Sequence, residues 1–187
     1  SGNCLLVKEN DTAILIDCGL SGKAAESALS MHGISMADIS GVLITHEHID
    51  HTKGAGVMAR KFKKNVYITK STYRALPRSV GVIPEDRLRF ISEKPFTVGC
   101  LTVAPFKTSH DACDPHGFSL SANGKKICIA TDTGIITNEM TEHLAGCDFA
   151  FIESNHDLAM LKNGPYPPEL KRRILSEFGH LPNTEAA

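Results

Sequence analysis

Short apolar runs alternate with helical patterns along the chain, which predicts a fold of mixed α and β structure. The runs "CLLVKEN" and "AILIDCG" flank a turn-like Glu9-Asn10-Asp11 and so predict a β-hairpin. Ser21 can cap a helix over "GKAAESALSMHG" that closes at Gly33. "GVLIT" then predicts a buried strand, and a dense group of polar residues follows it directly.

The same alternation continues to the end of the chain. Three helices are predicted, over "TKGAGVMARKFK", "NEMTEHLAG" and "PPELKRRILSEFG". Further strands are predicted over "NVYIT", "RLRFIS", "FTVGCLTVAPF", "GFSLSANGKKICIAT" and "CDFAFIE", with a hairpin turn at Asn123-Gly124. We expect one α+β domain over residues 1–187, in which two mixed β-sheets carry helices on their outer faces.

Both ends of the chain read as cut. "SGNCLLV" enters a strand at once, and "GHLPNTEAA" stops on what reads as the first turn of a helix. We therefore expect segments to be missing on either side.

The composition favours a folded domain that has little net charge and therefore no strong overall electrostatic field. Hydrophobic residues make up 42% of the 187 positions, which suffices for a core, and the net charge is −1. A partner such as nucleic acid must then be met by a local patch. The basic clusters "ARKFKK" and "KRR" could track a nucleic-acid backbone, although solvated helix faces explain them more simply.

The cysteines and the apolar runs predict a cytoplasmic protein. None of the six cysteines forms a C-x-x-C pair, which is typical of reduced, structural thiols. No run approaches the roughly 18 to 20 apolar residues of a membrane span, and the start lacks the pattern of an export signal. We expect no membrane partner, and the sequence does not indicate an oligomeric state.

The stretch "THEHIDH" carries the strongest chemical signal. His46 and His48 stand two apart directly after a strand, so their rings can face the same side and bind one ion. Asp50 and His51 follow where the backbone turns toward a helix, which lets them face a second position. This spacing indicates a metal site, with a solvated polar loop as the alternative.

Further ligands are expected downstream, again at the exits of predicted elements. These residues are His110, Asp132 and His180. A carboxylate can bridge two cations, which suits Asp132. Imidazole and carboxylate without thiolate suit Zn²⁺, Mn²⁺ or Fe²⁺.

These motifs together resemble the metallo-β-lactamase superfamily, whose fold is an αββα sandwich. "SGNC", "DTAILIDCGLS", "SHDACDPHGF", "ATDTG", "ESNHD" and "GHLPN" are most similar to its YycJ/WalJ-like branch of bacterial phosphodiesterases, reported as DNA exonucleases, with kin in tRNase Z and the cyclic-phosphate phosphodiesterases. The resemblance implies one metal on His46, His48 and His110, and a second on Asp50, His51 and His180. It implies that Asp132 is shared and that Asp17 supports the metal loop from behind. Pro182 departs from the pattern, because serine is common there.

Two cations at this spacing would acidify a bridging water to hydroxide and neutralise phosphodiester oxygens, so the predicted function is dinuclear phosphodiester hydrolysis, as in a DNA exonuclease. Asp50 could orient the water or take its proton. His156 in "ESNHD" resembles a proton donor to the leaving group, with an ordinary surface loop residue as the alternative. His116 could contact substrate phosphate or be a plain polar loop residue.

Other functions remain open. The same hydroxide could cleave thioesters or other acyl groups, as in glyoxalase II, or cyclic phosphates. β-Lactam hydrolysis is disfavoured because Asp132 stands where a cysteine would be expected, and a flavo-di-iron enzyme would carry glutamate at position 48. A binding module that has lost its chemistry is disfavoured by the intact ligand set.

Overall fold

The computed structural model describes residues 2–187, so Ser1, the first residue of "SGNC", lies outside the described part. Two five-stranded sheets are present, with strand orders β1-β2-β3-β4-β5 and β10-β9-β8-β7-β6. The strands are β1 Leu5–Glu9, β2 Thr12–Ile16, β3 Ile39–Leu43, β4 Asn65–Ile68, β5 Leu88–Phe90, β6 Phe96–Val98, β7 Leu101–Lys107, β8 His116–Ala122, β9 Lys125–Ala130 and β10 Phe149–Ile152. The helices are α1 Gly22–Met31, α2 Ile49–Thr52, α3 Ala55–Arg60, α4 Lys70–Ala75, α5 Asn138–Leu144, α6 Leu158–Asn163, α7 Pro168–Ile174 and α8 Asn183–Ala186, with 3₁₀ turns at Met36–Asp38, Arg78–Val80 and Glu85–Arg87.

The chain divides into two compact units. The first runs up to Val103 and includes Ala112–Asp114, and the second comprises Ala104–Asp111 and Pro115–Ala187. The α+β class with two mixed sheets is confirmed, because each sheet contains parallel and antiparallel pairs. The assignment of residues 1–187 to one hydrolase domain stays a prediction.

In the first unit, β2, β3, β4 and β5 run parallel, so their carboxyl ends share one edge of the sheet. One face of these strands packs against α1 and α3. The buried residues of this core include alternate positions of each strand, such as Leu15, Val42 and Val66, together with Leu29 and Met58 from the helices. Alternation with period two therefore turns one face to the helices.

The predicted start of the chain is confirmed. β1 and β2 form an antiparallel hairpin, and Asn10 takes a positive φ of 51° in its turn. The hydroxyl of Ser21 accepts from the Ala24 amide at 3.2 Å, and Gly33 follows α1 with a φ of 69°. The last residues of the chain form α8, as their pattern indicated.

Two predicted elements were wrong in extent. "FTVGCLTVAPF" forms two antiparallel strands, β6 and β7, because Gly99 turns the backbone with a φ of 57°. "TKGAGVMARKFK" is shorter as a helix, since α3 begins only at Ala55 after a separate helical turn, α2. The helices α4 and α6 had no counterpart among the predictions.

The second unit is built on the β8–β9 hairpin, to which β10 adds in parallel. Asn123 and Gly124 form its turn with φ values of 51° and 74°, as predicted. A small core of Phe106, Cys128, Ala130 and Met140 packs beneath it. None of the helices among residues 2–187 has the length and apolar character needed to cross a membrane.

Gly54 separates α2 from α3, and its backbone lies close to Cys18 and Leu20. A Cβ at this position would lie 2.4 Å from the Leu20 carbonyl oxygen and 2.5 Å from Sγ of Cys18. Its amide donates to the Cys18 carbonyl at 2.7 Å, so the chain cannot move away without losing this bond.

We therefore expect Gly54→Ala to lower the free energy of unfolding by about 1–3 kcal/mol, since overpacking forces a backbone shift. Urea unfolding of the purified protein measures this change. The exposed neighbour Lys53 supplies the control, because Lys53→Ala should change stability by less than about 0.5 kcal/mol. Equal stability of the two variants would show that the backbone around Gly54 can accommodate a Cβ without cost, which would contradict the prediction.

Candidate metal centre

His46 and His48 lie in the loop that follows β3. His46 is 1% exposed, and its Nδ1 lies 2.9 Å from the Thr45 hydroxyl. Its Nε2 lies 3.0 Å from Nδ1 of His48. Two nitrogens on one tetrahedral ion stand about 3.3 Å apart when each bond is about 2.05 Å. The pair is therefore spaced as two ligands of one metal ion.

Asp50 and His51 lie on α2, directly after that loop. Oδ2 of Asp50 is 3.8 Å from Nε2 of His51, and the two side chains are 55% and 1% exposed. The carboxylate thus approaches a buried imidazole from the solvent side. Both atoms are oriented so that one ion could bind them together.

Asp17 fixes this loop from beneath. It follows β2 with a positive φ of 60° and is buried. Its carboxylate accepts from the Thr45 amide at 2.9 Å, from the Thr45 hydroxyl at 2.8 Å and from Nδ1 of His51 at 2.7 Å. Burial raises the pKa of Asp17, while the hydrogen bonds from His51 and Thr45 oppose that rise. Since Nδ1 of His51 is held by Asp17, its Nε2 is the atom left for a metal.

Asn3 is a neighbour of this loop that the sequence interpretation did not single out. Its Nδ2 lies 2.8 Å from Nε2 of His51, the nitrogen that a metal would use. The backbone amide of Asn3 donates to the Asp50 carbonyl at 2.7 Å, and the backbone carbonyl of Asn3 accepts from the Gly19 amide at 2.8 Å. Asn3 belongs to the motif "SGNC" and precedes a strand that pairs with β2. That position was the signal in the sequence that could have placed Asn3 near the metal loop.

In the second unit, His110, Asp132 and His180 come together with ligand atoms within 4.8 Å of one another. Asp132 follows β9 with a φ of 51°. Nδ1 of His110 lies 3.0 Å from the Gly179 carbonyl and donates to it, which leaves Nε2 for a metal. Burial lowers the pKa of His110, which favours the neutral imidazole that binds metals.

Glu153 positions His180 and was missed in the sequence. Its Oε1 lies 2.6 Å from Nδ1 of His180, and its Oε2 accepts from the Thr133 amide at 2.9 Å. The hydrogen bond to Glu153 raises the pKa of His180. A carboxylate at the end of β10, inside the motif that also carries His156, was the signal that could have found it.

His156 is held beside the segment that follows His180. The Asn155 amide donates to the Leu181 carbonyl and the Asn183 amide to the His156 carbonyl, both at 2.9 Å. Both ring nitrogens of His156 are shielded from solvent and have no hydrogen-bond partner among residues 2–187. Shielded ring nitrogens without a hydrogen-bond partner indicate a partner beyond the protein itself.

His116 and Glu47 are two further polar residues near the ligands in sequence or motif. His116 begins β8 and is only 2% exposed, so a substrate contact by this residue stays a prediction. Glu47 lies between the two loop histidines, and its Oε1 accepts from the Cys113 amide at 2.7 Å. That bond satisfies one carboxylate oxygen, while Oε2 is buried and has no hydrogen-bond partner among residues 2–187.

These residues suit a divalent metal by two criteria. The donors are imidazole and carboxylate, which bind Zn²⁺, Mn²⁺ or Fe²⁺. Four of the histidines have Nδ1 beside a polar partner, so that Nε2 is the ligating atom, as is usual for metal-binding histidines. These four are His46, His51, His110 and His180.

Comparison with known proteins agrees with this description. Residues 12–187 match the family described as "Beta-lactamase superfamily domain". The chain is 41% identical to exodeoxyribonuclease YycJ of Bacillus anthracis over 188 residues, which cover all of this chain and 71% of that protein. It is 36% identical to exodeoxyribonuclease WalJ of Streptococcus pneumoniae over 190 residues, with the same coverage. The crystal structure of the metallo-β-lactamase fold protein YhfI from Bacillus subtilis has a TM-score of 0.72 at 14% identity and covers 100% of this chain and 72% of that one.

Fold and donor set therefore define a metal-dependent protein of the metallo-β-lactamase class, and the chain belongs to the metallo-β-lactamase superfamily. Within the superfamily it is similar to the proteins YycJ and WalJ over its whole length. Both parts of the resemblance seen in the motifs are confirmed.

Asp17 supplies the first test of the metal centre. We expect Asp17→Asn to weaken divalent metal binding by about 10- to 100-fold, because the amide cannot accept all of the hydrogen bonds that order the loop. Isothermal titration with Mn²⁺ or Zn²⁺ measures the affinity. Glu26→Gln is a matched control, since Glu26 is a half-exposed acid on α1 whose ion pair with Lys61 is 3.5 Å long. Unchanged affinity in Asp17→Asn would contradict the supporting role.

Proposed function

We propose that this chain is a metal-dependent exodeoxyribonuclease that hydrolyses phosphodiester bonds. The observation that carries the proposal is the similarity of the entire chain to YycJ and WalJ, which are both named exodeoxyribonucleases. The ordered histidines and carboxylates of each unit support it. A cytoplasmic location fits the proposal, because all six cysteines are free thiols.

We assign the ligands as the family resemblance implies. His46, His48 and His110 would hold one metal, and Asp50, His51 and His180 the other, with Asp132 shared between them. His46 and His48 lie close enough to bind one ion together, and so do Asp50 and His51, which is compatible with this assignment. Zn²⁺, Mn²⁺ and Fe²⁺ all fit these donors.

Bound divalent ions would supply a hydroxide nucleophile at neutral pH and charge neutralisation of the phosphate. The protein's own residues then position the reactants. Asp50 has an exposed carboxylate beside the buried His51, so it can orient the attacking water and accept its proton. Asp17 and Glu153 hold His51 and His180 so that these rings do not turn during the reaction.

His156 would protonate the leaving oxygen. Its shielded ring nitrogens have no partner in the described chain, and a substrate oxygen can fill that role. Burial lowers the pKa of His156, so the imidazole is less readily protonated in the free protein. An anionic phosphodiester beside it would favour the protonated form, because opposite charges stabilise each other at short range.

Hydrolysis of acyl compounds or cyclic phosphates is less well supported. A two-metal centre can perform both reactions, yet the whole-length relatives are named for DNA cleavage. The proton-donor position is more useful for a poor alkoxide leaving group than for a thiolate.

The role of His156 can be tested by varying the leaving group. We expect His156→Ala to reduce DNA cleavage by about 100- to 10,000-fold, as is typical of a lost general acid. Hydrolysis of bis(p-nitrophenyl) phosphate should change little, because p-nitrophenolate leaves without protonation. Steady-state rates on both substrates measure this split, and metal content should be unchanged.

His32→Ala provides the control, since His32 is exposed at the end of α1. An equal loss on both substrates would assign His156 a structural role. Full activity on DNA would remove it from the mechanism.

Metal dependence is tested by removal and return of the ion. Treatment with a chelator should abolish hydrolysis of bis(p-nitrophenyl) phosphate, and Mn²⁺ or Zn²⁺ should restore it. Asp132→Asn should stay at least about 100-fold less active after metal is returned, because a metal contributes several kcal/mol to such a reaction. Asp148→Asn is the control, since this acid pairs with Lys125 at the exposed start of β9. Activity that survives chelation would refute the metal-dependent mechanism.

A further inference from the structure

A cleft in the first unit lies beside β4, β5 and β6 and is apart from the proposed metal ligands. Its volume is about 440 Å³, and its walls include Tyr67, Phe90 and Phe96 together with Arg89 and Lys94. We propose that this cleft, called the aromatic cleft below, binds the bases and phosphates of single-stranded DNA. The inference rests on the proposed function, because it names how that substrate is held.

The cleft contains one stacked pair of aromatic rings and one exposed ring. Tyr67 and Phe96 stack with centroids 5.5 Å apart and planes at 18°. Gly41 on β3 makes room for the Tyr67 ring, since a Cβ there would lie 2.7 Å from Cε2 of Tyr67. Phe90 at the end of β5 is 48% exposed. A phenylalanine left open on an edge strand offers a flat apolar face on which a base can stack.

The charges around these rings complement a phosphate backbone. The ammonium of Lys70 lies 5.7 Å from the centroid of the Phe90 ring. Arg89 is held by the backbone carbonyls of Asp86 and Leu88 at 3.1 and 2.9 Å, not by a carboxylate. No ion pair among residues 2–187 involves Lys70, Arg89 or Lys94. Arg89 and Lys94 therefore place positive charge in the wall of the cleft, and Lys70 places it beside the exposed Phe90 ring.

This combination selects the class of ligand. Aromatic faces with neighbouring cations bind single strands, because the bases stack while the phosphates meet the positive charges. A duplex keeps its base faces inside the helix and cannot use the rings. An acidic peptide would satisfy the cations but would leave the exposed Phe90 ring without a stacking partner.

The place of the cleft in the sheet suits a substrate that continues to the metal loop. Leu43, Tyr67 and Arg89 are lateral neighbours on the parallel strands β3, β4 and β5. Neighbouring strands are about 4.8 Å apart, so β5 lies about 10 Å from β3. His46 follows β3 at the same edge of the sheet. A single strand in the cleft could therefore extend toward the loop that carries the first metal ligands.

Binding to metal-free protein tests the cleft without cleavage. The probe is a fluorescein-labelled poly-dT strand, followed by fluorescence anisotropy in the presence of a chelator. We expect Phe90→Ala to weaken binding by about 5- to 100-fold, as for the loss of one stacked base, and Phe90→Trp to retain it. Phe149→Ala is the matched control, because Phe149 is 58% exposed on β10 and does not line the cleft.

A salt titration tests the charges separately. Removal of one phosphate contact, in Lys70→Ala or Lys94→Ala, should reduce the slope of log affinity against log salt by about 0.7. Lys125→Ala should leave the slope unchanged, since Lys125 pairs with Asp148. Phe90→Leu keeps an apolar contact but loses the flat face, so it decides the question if Phe90→Ala folds poorly.

The outcomes separate this inference from the proposed function. If Phe90→Ala, Phe90→Leu and Phe149→Ala bind single-stranded DNA equally well, the aromatic cleft is not the binding site for the bases. The same conclusion follows if the Phe90 variants lose affinity only for single-stranded RNA or only for duplex DNA. Hydrolysis of bis(p-nitrophenyl) phosphate, which has no bases, should be the same in Phe90→Ala and the natural sequence. If the natural sequence hydrolyses no phosphodiester at all, the proposed function fails, while the anisotropy result still reports on the cleft.

Discussion

The buried carboxylate of Asp17 is the constraint on which the metal loop depends. It accepts hydrogen bonds from the backbone and side chain of Thr45 and from His51, and so ties the end of β2 to the loop after β3 and to α2. A buried carboxylate is costly unless its hydrogen bonds are satisfied, so the loop is stable only in the conformation that supplies these donors. That conformation places Nε2 of His51 2.8 Å from the Asn3 side chain and 3.8 Å from the Asp50 carboxylate.

The same principle operates in the second unit with different partners. Glu153 holds His180, and the Gly179 carbonyl holds His110. In each case a partner for one ring nitrogen leaves the other nitrogen as the ligand, which sets the orientation of the ring before any ion arrives. The ligands also follow strand ends, as Asp132 follows β9 and His46 follows β3. Regular strands therefore supply rigid starting points for short loops.

The sequence predicts most strands and the ligand-type residues, because periodicity and the spacing of "THEHIDH" are local signals. It does not predict features that arise from contacts between distant segments. Gly54 ends a helical turn because its amide binds the Cys18 carbonyl, and no local pattern contains that information. Glu153 and Asn3 were missed for the same reason, since their roles come from His180 and His51, far along the chain. The double strand in "FTVGCLTVAPF" was missed because a single glycine with positive φ carried the whole turn signal.

The backbone bonds that join residues 155–156 to residues 181–183 have a mechanical consequence. Two hydrogen bonds of 2.9 Å make a short ladder, so the imidazole of His156 and that of His180 are carried on segments that move as one piece. A displacement of either segment is transmitted to the other ring. If His156 and His180 have the proposed roles, proton delivery and metal coordination would be gained or lost together when these segments are displaced.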